Sequence, residues 1–137
     1  MSRAKNLANF QTTITDGTTS VATSFVTNGS AKVWINFDGA TADATENLTG
    51  VRDSLNVSSL VDVSSGKYKV NINSDMANDD YSLQCSHTTS SGGRSDLIPF
   101  IDQTTNPMAV GSFGVLCVAS VFDDTPIACS TIHGDLA

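Results

Sequence analysis

Residues 31–39 read AKVWINFDG, and residues 51–73 read VRDSLNVSSLVDVSSGKYKVNIN. Apolar residues take every second position in two runs, Val33, Ile35 and Phe37 in the first and Tyr68, Val70 and Ile72 in the second. A period of two is typical of a strand with one face in a core and the other in polar surroundings. No catalytic grouping interrupts these runs, so they predict consecutive short β-strands and indicate an assembly protein.

The remainder of the chain continues this pattern. Strands are predicted near residues 31–37, 51–57, 60–64, 67–73, 81–87, 96–101, 112–122 and 127–133, with turns at residues 64–66, 78–80 and 104–107. The chain is rich in serine and threonine, and the helix-favouring glutamate occurs only at position 46, so little helix is expected. The predicted fold class is all-β, an antiparallel sandwich or jelly-roll-like domain with an extended N-terminal segment.

Residues 1–30 differ in composition from residues 31–137, which we assign to the β-sandwich domain. They are rich in threonine and carry isolated apolar residues such as Phe10, Ile14 and Phe25. Two interpretations stay open, a first strand with a frayed terminus or an N-terminal arm that lies across a neighbouring subunit. The sequence does not distinguish them.

Residues 111–122, GSFGVLCVASVF, form an unusual strand candidate because both of its faces are apolar. Such a strand is buried on both sides, either between two sheets or between the core and another subunit. Trp34 alternates onto the polar face of its strand, where either the N-terminal segment or a partner covers it. The predicted subunit interface consists of Phe10, Ile14, Phe25, Trp34, Leu116, Val118 and Phe122.

Charge and hydropathy argue against several classes of function. The formal charge is −7, and the seven basic residues are scattered, so no cluster is available for a nucleic-acid backbone. No run approaches the ~20 apolar residues of a membrane span, and the N-terminus lacks the apolar core of a secretory signal. We therefore expect a protein that binds no nucleic acid, does not insert into membranes and stays in a cytoplasm until assembly.

Candidate chemistry is sparse, and we expect neither enzymatic activity, nor a cofactor, nor a metal site. His87 and His133 stand far apart, and no Gly-x-Ser-x-Gly elbow accompanies them. The three cysteines lack zinc-ligand spacing. Cys117 is interpreted as a small buried hydrophobic residue, whereas disulfides of Cys85, Cys117 or Cys129 are left open. The pairs at residues 79–80 and 123–124 are interpreted as solvated turn aspartates.

One loop is a candidate for recognition. Ser90, Ser91, Gly92, Gly93 and Arg94 form a predicted hairpin tip. Loops at the end of a rigid β-scaffold often carry recognition, and arginine binds carboxylates and sugar hydroxyls. This loop is the predicted receptor-contact site, with a host cell-surface glycan as its ligand and a plain exposed turn as the alternative.

Several motifs resemble a known family. The strings K-x-W-x-N-F-D-G at residues 32–39, R-x-S-x-N-V-S-S at residues 52–59 and G-x-Y-x-V-N at residues 66–71 are similar to those of a small all-β domain in tailed-bacteriophage virion proteins, especially tail fibres. A weaker similarity covers M-x-N-x-x-Y at residues 76–81. The link between residues 39 and 51 is longer than is usual in that family, and residues 127–136 extend past its usual end.

This resemblance implies a bacteriophage virion structural protein that assembles in the host bacterial cytoplasm. On this interpretation the chain forms part of an oligomeric tail fibre or adhesion appendage, as a homotrimer in contact with other tail or capsid proteins. The alternative is a capsid decoration, or cement, protein that bridges capsid subunits. A carbohydrate-active enzyme is a third hypothesis, for which the sequence shows no acid–base signature.

Overall fold

The computed structural model describes residues 13–16, 18–88, 98–118 and 121–137. The chain divides into two compact units, the N-terminal unit of residues 1–30 and the sandwich of residues 31–137. In the described part of the chain the elements are β1 Thr13–Asp16, β2 Thr19–Ala22, α1 Thr23–Gly29, β3 Val33–Phe37, β4 Val51–Leu55, β5 Val57–Ser64, β6 Lys67–Ile72, β7 Ser82–His87, β8 Ile98–Ile101, β9 Ser112–Val118 and β10 Ala128–His133.

The sandwich consists of two antiparallel four-stranded sheets, which confirms the predicted all-β fold class. One sheet has the order β4-β3-β10-β7, and the other has the order β5-β6-β9-β8. The first strand of the sandwich therefore pairs with the last, through register pairs such as Ile35 with Ser130. All eight strands predicted after residue 30 are present within a few residues of their expected bounds.

The core lies between the two sheets and is built from the alternating residues that predicted the strands. The largest fully buried side chains include Phe37 from β3, Tyr68 from β6 and Phe113 from β9. The rings of Phe37 and Tyr68 meet edge to face across the two sheets, with centroids 5.0 Å apart. Cys117 is also fully buried, as predicted.

Two residues with positive φ set the sharp connections. Gly66, with φ of 66°, closes the predicted hairpin between β5 and β6. Asn56, with φ of 58°, lies between β4 and β5, where the chain passes from one sheet to the other. Its side chain bonds the backbone of Ser74 in both directions, and asparagine tolerates this left-handed conformation better than most residues do.

The predicted strand over residues 112–122 is shorter than expected. β9 ends at Val118, and Phe122 turns back to form an isolated bridge with Val118. Val121, which belongs to the strand predicted to be buried on both faces, is 68% exposed. The alternation failed here because it assumes continuous extended backbone, whereas Phe122 pairs antiparallel with Val118.

The sandwich has two ends, which we name from its first residues. The proximal end holds Ala31 and Lys32. The Lys32 N–H donates to the carbonyl of Ile132 near the end of β10. The distal end holds residues 121–127, the distal crossover, which passes from β9 to the start of β10. The length of β10 separates these ends by about 17 Å at the usual rise per strand residue.

Candidate functional site

The described residues of the N-terminal unit form two paired strands and a short helix. β1 and β2 pair antiparallel, with Ile14 opposite Val21, and the seven residues of α1 follow directly. The side chains of Ile14, Val21, Phe25 and Val26 are all exposed, Phe25 by 75%. No residue of α1 is buried, and an open depression of about 440 Å³ is lined by helix residues that include Phe25.

The described apolar side chains of this unit are exposed, although a unit of this kind usually needs them to be buried. A two-stranded hairpin is marginal in water, and helices shorter than ~12 residues are not stable alone. Tertiary packing of an apolar face normally supplies the stability, yet the described apolar side chains of this unit are solvent-accessible. The exposed apolar residues of the N-terminal unit therefore form a candidate assembly surface.

The outward face of β9 contributes part of the predicted interface. Leu116 lies beside Lys67 of β6, and Val118 lies beside Ile98 of β8. Leu116 and Val118 are half-buried, and Phe122 is exposed. The Lys67 ammonium lies 4.6 Å from the centroid of the Phe122 ring, so a cation covers part of this aromatic surface.

Trp34 lies on the outward face of the other sheet, as its alternation predicted. It is half-buried between Leu55 of β4 and Thr131 of β10, and Leu55 is exposed. Ile14 and Phe25 belong to the N-terminal unit, whereas Trp34, Leu116 and Val118 occupy opposite faces of the sandwich. Within the sandwich, Trp34 is therefore not on the same surface as Leu116 and Val118. Phe10 and the loop of residues 90–94 lie outside the described residues.

One carboxylate of the distal crossover, that of Asp124, forms hydrogen bonds that the sequence analysis did not predict. Asp124 was expected to be solvated, yet its Oδ1 accepts hydrogen bonds from the Gly66 N–H at 2.7 Å and the Tyr68 hydroxyl at 3.0 Å. Burial, followed by the bond to Asp124, raises the pKa of Tyr68, which stays a neutral donor. These residues are 56 and 58 positions from Asp124. No local sequence pattern indicates a contact over such a separation.

A second carboxylate, that of Asp62, faces the same corner. Asp62 lies opposite Tyr68 in the β5–β6 register, and its Oδ1 is buried with no hydrogen-bond partner among the described residues. Burial raises the pKa of Asp62, and the nearby charge of Asp124 adds to this. The ionised form of Asp62 is therefore disfavoured in the folded state.

Asp62→Asn is expected to stabilise the sandwich by about 0.5 kcal/mol at pH 7, a value kept small because solvent screens this partly exposed group. A raised folded-state pKa means that the native protein holds this proton more tightly than the unfolded chain does. The contribution of Asp62 to the free energy of unfolding therefore rises as pH falls through its folded-state pKa, and this rise is complete below about pH 4. Urea denaturation at pH 7 and pH 4.5 measures both effects.

The exposed Asp135→Asn is the control, since it removes the same charge outside this corner. The variant Asp62→Asn should show a smaller gain in stability on acidification than the native protein. A loss of stability at pH 7 from Asp62→Asn alone would contradict the unfavourable placement of this carboxylate.

Four further side chains have a buried polar atom without a hydrogen-bond partner among the described residues, those of Asn36, His87, Asp102 and Asn106. His87 at the distal end of β7 bonds the carbonyl of Thr88 through Nδ1, while its Nε2 has no partner among the described residues. Asp102, just after β8, accepts the N–H groups of Thr104 and Thr105 on Oδ1. Burial acts to raise the pKa of Asp102, but these donors outweigh it and lower the pKa.

Redox and metal chemistry find little support in the described residues. Cys85, Cys117 and Cys129 are all free thiols. Burial, with a smaller contribution from Cys85, raises the pKa of Cys117 to about 12, so its thiol is unreactive at neutral pH. Among the described residues no three His, Cys, Asp or Glu side chains are grouped to hold a metal ion. In the same part of the chain no helix is long and apolar enough to cross a membrane.

Comparison of the chain with protein-family models, with curated proteins and with solved structures finds no match in any of the three.

Proposed function

We propose that this chain is a non-enzymatic structural protein of a bacteriophage virion, which assembles into an oligomer within a tail fibre or adhesion appendage. The observation that carries the proposal is the N-terminal unit, in which Ile14, Val21, Phe25 and Val26 are exposed and none of the helix residues is buried. A unit of this kind becomes stable when another surface covers it, and this is the property expected of an assembly protein.

The motifs that carry the phage resemblance act in the architecture of the sandwich. Phe37 packs on Tyr68, and Asp38 forms a 3.1 Å ion pair with Arg52 that links the first motif to the second. Gly39 allows the Tyr68 hydroxyl to approach, since a Cβ at Gly39 would overlap it. These motif residues build a scaffold, which supports a structural role over a catalytic one.

The alternative, a capsid decoration protein, uses the same N-terminal unit to bridge neighbouring capsid subunits. The two functions differ in copy number, because decoration proteins coat the head in hundreds of copies and fibre components occur in tens. Quantitative mass spectrometry of purified virions against the major capsid protein separates them. Tens of copies are expected; hundreds would establish the decoration role, and absence from the particle would refute both.

Oligomerisation is tested on the purified full-length chain by light scattering after size exclusion. A trimer has a mass of about 43 kDa, three times the 14.3 kDa chain. Phe25→Asp is expected to weaken this assembly at least tenfold, because the charge must leave water when the unit is covered. Leu48→Asp is the control, since Leu48 is also exposed, by 52%, but lies in the sandwich. A monomeric native chain at all concentrations would contradict the proposal.

A further inference from the structure

The two most exposed large hydrophobic side chains among the described residues belong to different units. Phe25 lies in the N-terminal unit, and Val121 lies in the distal crossover together with Phe122 and Ile127, which are also exposed. The crossover is anchored to the rest of the sandwich by hydrogen bonds: Asp124 accepts the Gly66 N–H, and the Gly39 N–H donates to the carbonyl of Thr125. An anchored, exposed apolar segment is a suitable docking surface because less conformational entropy is lost on binding.

The charges of the two units are complementary. Residues 31–137 contain five basic and thirteen acidic residues, which gives the sandwich a formal charge of −8. Residues 1–30 contain Arg3, Lys5 and Asp16, which gives the N-terminal unit a charge of +1. Two sandwiches therefore repel each other at long range, whereas an N-terminal unit is attracted to the sandwich of another copy.

From these observations we infer that the N-terminal unit of one copy docks on the distal crossover of a second copy. This inference rests on the proposed oligomeric function and names the partner as a second copy of this chain. The contact joins two different surfaces, the N-terminal unit of one copy and the distal crossover of the other. Such a head-to-tail contact is heterologous, and it closes into a ring, for example of three copies, or continues as a filament.

A mixing experiment tests the contact directly. Phe25→Asp disables the N-terminal unit and leaves the crossover intact, whereas Val121→Asp does the reverse. Each variant alone is expected to be monomeric or at least tenfold weaker in assembly. An equimolar mixture then has one intact junction per pair and forms a 1:1 dimer of about 29 kDa, twice the chain mass, without larger species. Leu48→Asp is the matched surface control for Val121→Asp. Measured alone, it should assemble like the native chain.

The outcomes separate this inference from the proposed function. Native-like assembly of Val121→Asp overturns the crossover contact but leaves the oligomeric protein intact, since another surface then covers the N-terminal unit. A mixture that stays monomeric also overturns the head-to-tail contact, provided that circular dichroism shows both variants folded.

Discussion

Replacing Tyr68 by alanine is expected to lower the free energy of unfolding by about 4 kcal/mol, the largest loss predicted for a single side chain in this protein. Tyr68 is fully buried, and its ring meets that of Phe37 at 5.0 Å. The substitution leaves a cavity between the two sheets and removes the hydroxyl donor of Asp124. A loss of this size is a large part of the 5 to 15 kcal/mol typical of a whole domain.

Tyr68→Phe divides this loss into packing and hydrogen bonding. The ring remains in the core, and Asp124 retains the Gly66 N–H but loses the hydroxyl, so the expected cost is about 1 to 2 kcal/mol. Urea denaturation followed by the fluorescence of Trp34, the only tryptophan, measures both variants. Equal losses from the two substitutions would show that the hydroxyl, and not the ring, dominates.

The alternating apolar residues predicted most of the sandwich because burial of one sheet face leaves a local signal in the sequence. The β5–β6 hairpin was predicted in detail, since Gly66 supplies a conformation that few other residues adopt. The hairpin and helix of the N-terminal unit were not predicted. Its threonines and isolated apolar residues have no clear period, and no described residue of its helix is buried to impose one.

The candidate site was only partly predictable, for a different reason. Ile14, Phe25 and Phe122, which were assigned to an interface, are exposed, and so is Val121, which belongs to the strand predicted to be buried on both faces. The corner of Asp62, Tyr68 and Asp124 was missed because its members meet only through the fold. Carboxylates in a turn usually are solvated, and the distant hydrogen-bond donors of Asp124 are not visible in its neighbouring residues.

Gly66→Ala is expected to cost about 3 kcal/mol, from left-handed strain of about 1 kcal/mol and from displacement of backbone. Gly66 has φ of 66°, and a Cβ there would lie 2.6 Å from both the Asp123 nitrogen and the Cys117 carbonyl oxygen. Neither backbone atom can rotate away as a side chain can. The hairpin must therefore move away from the distal crossover, which also weakens the Gly66 bond to Asp124.

Gly111→Ala is the matched control, because a Cβ at Gly111 first meets Oδ1 of Asp75 at 3.0 Å, the mobile end of a side chain. Its expected cost is below about 1 kcal/mol.

The two variants are compared by urea denaturation, with assembly of each measured by light scattering under folding conditions. Since the distal crossover is the inferred docking surface, Gly66→Ala should weaken assembly even where it remains folded, whereas Gly111→Ala should not. Equal stability of the two variants would mean that the hairpin accommodates a Cβ without moving. Native assembly by a folded Gly66→Ala would contradict the inference that the distal crossover forms the contact between copies.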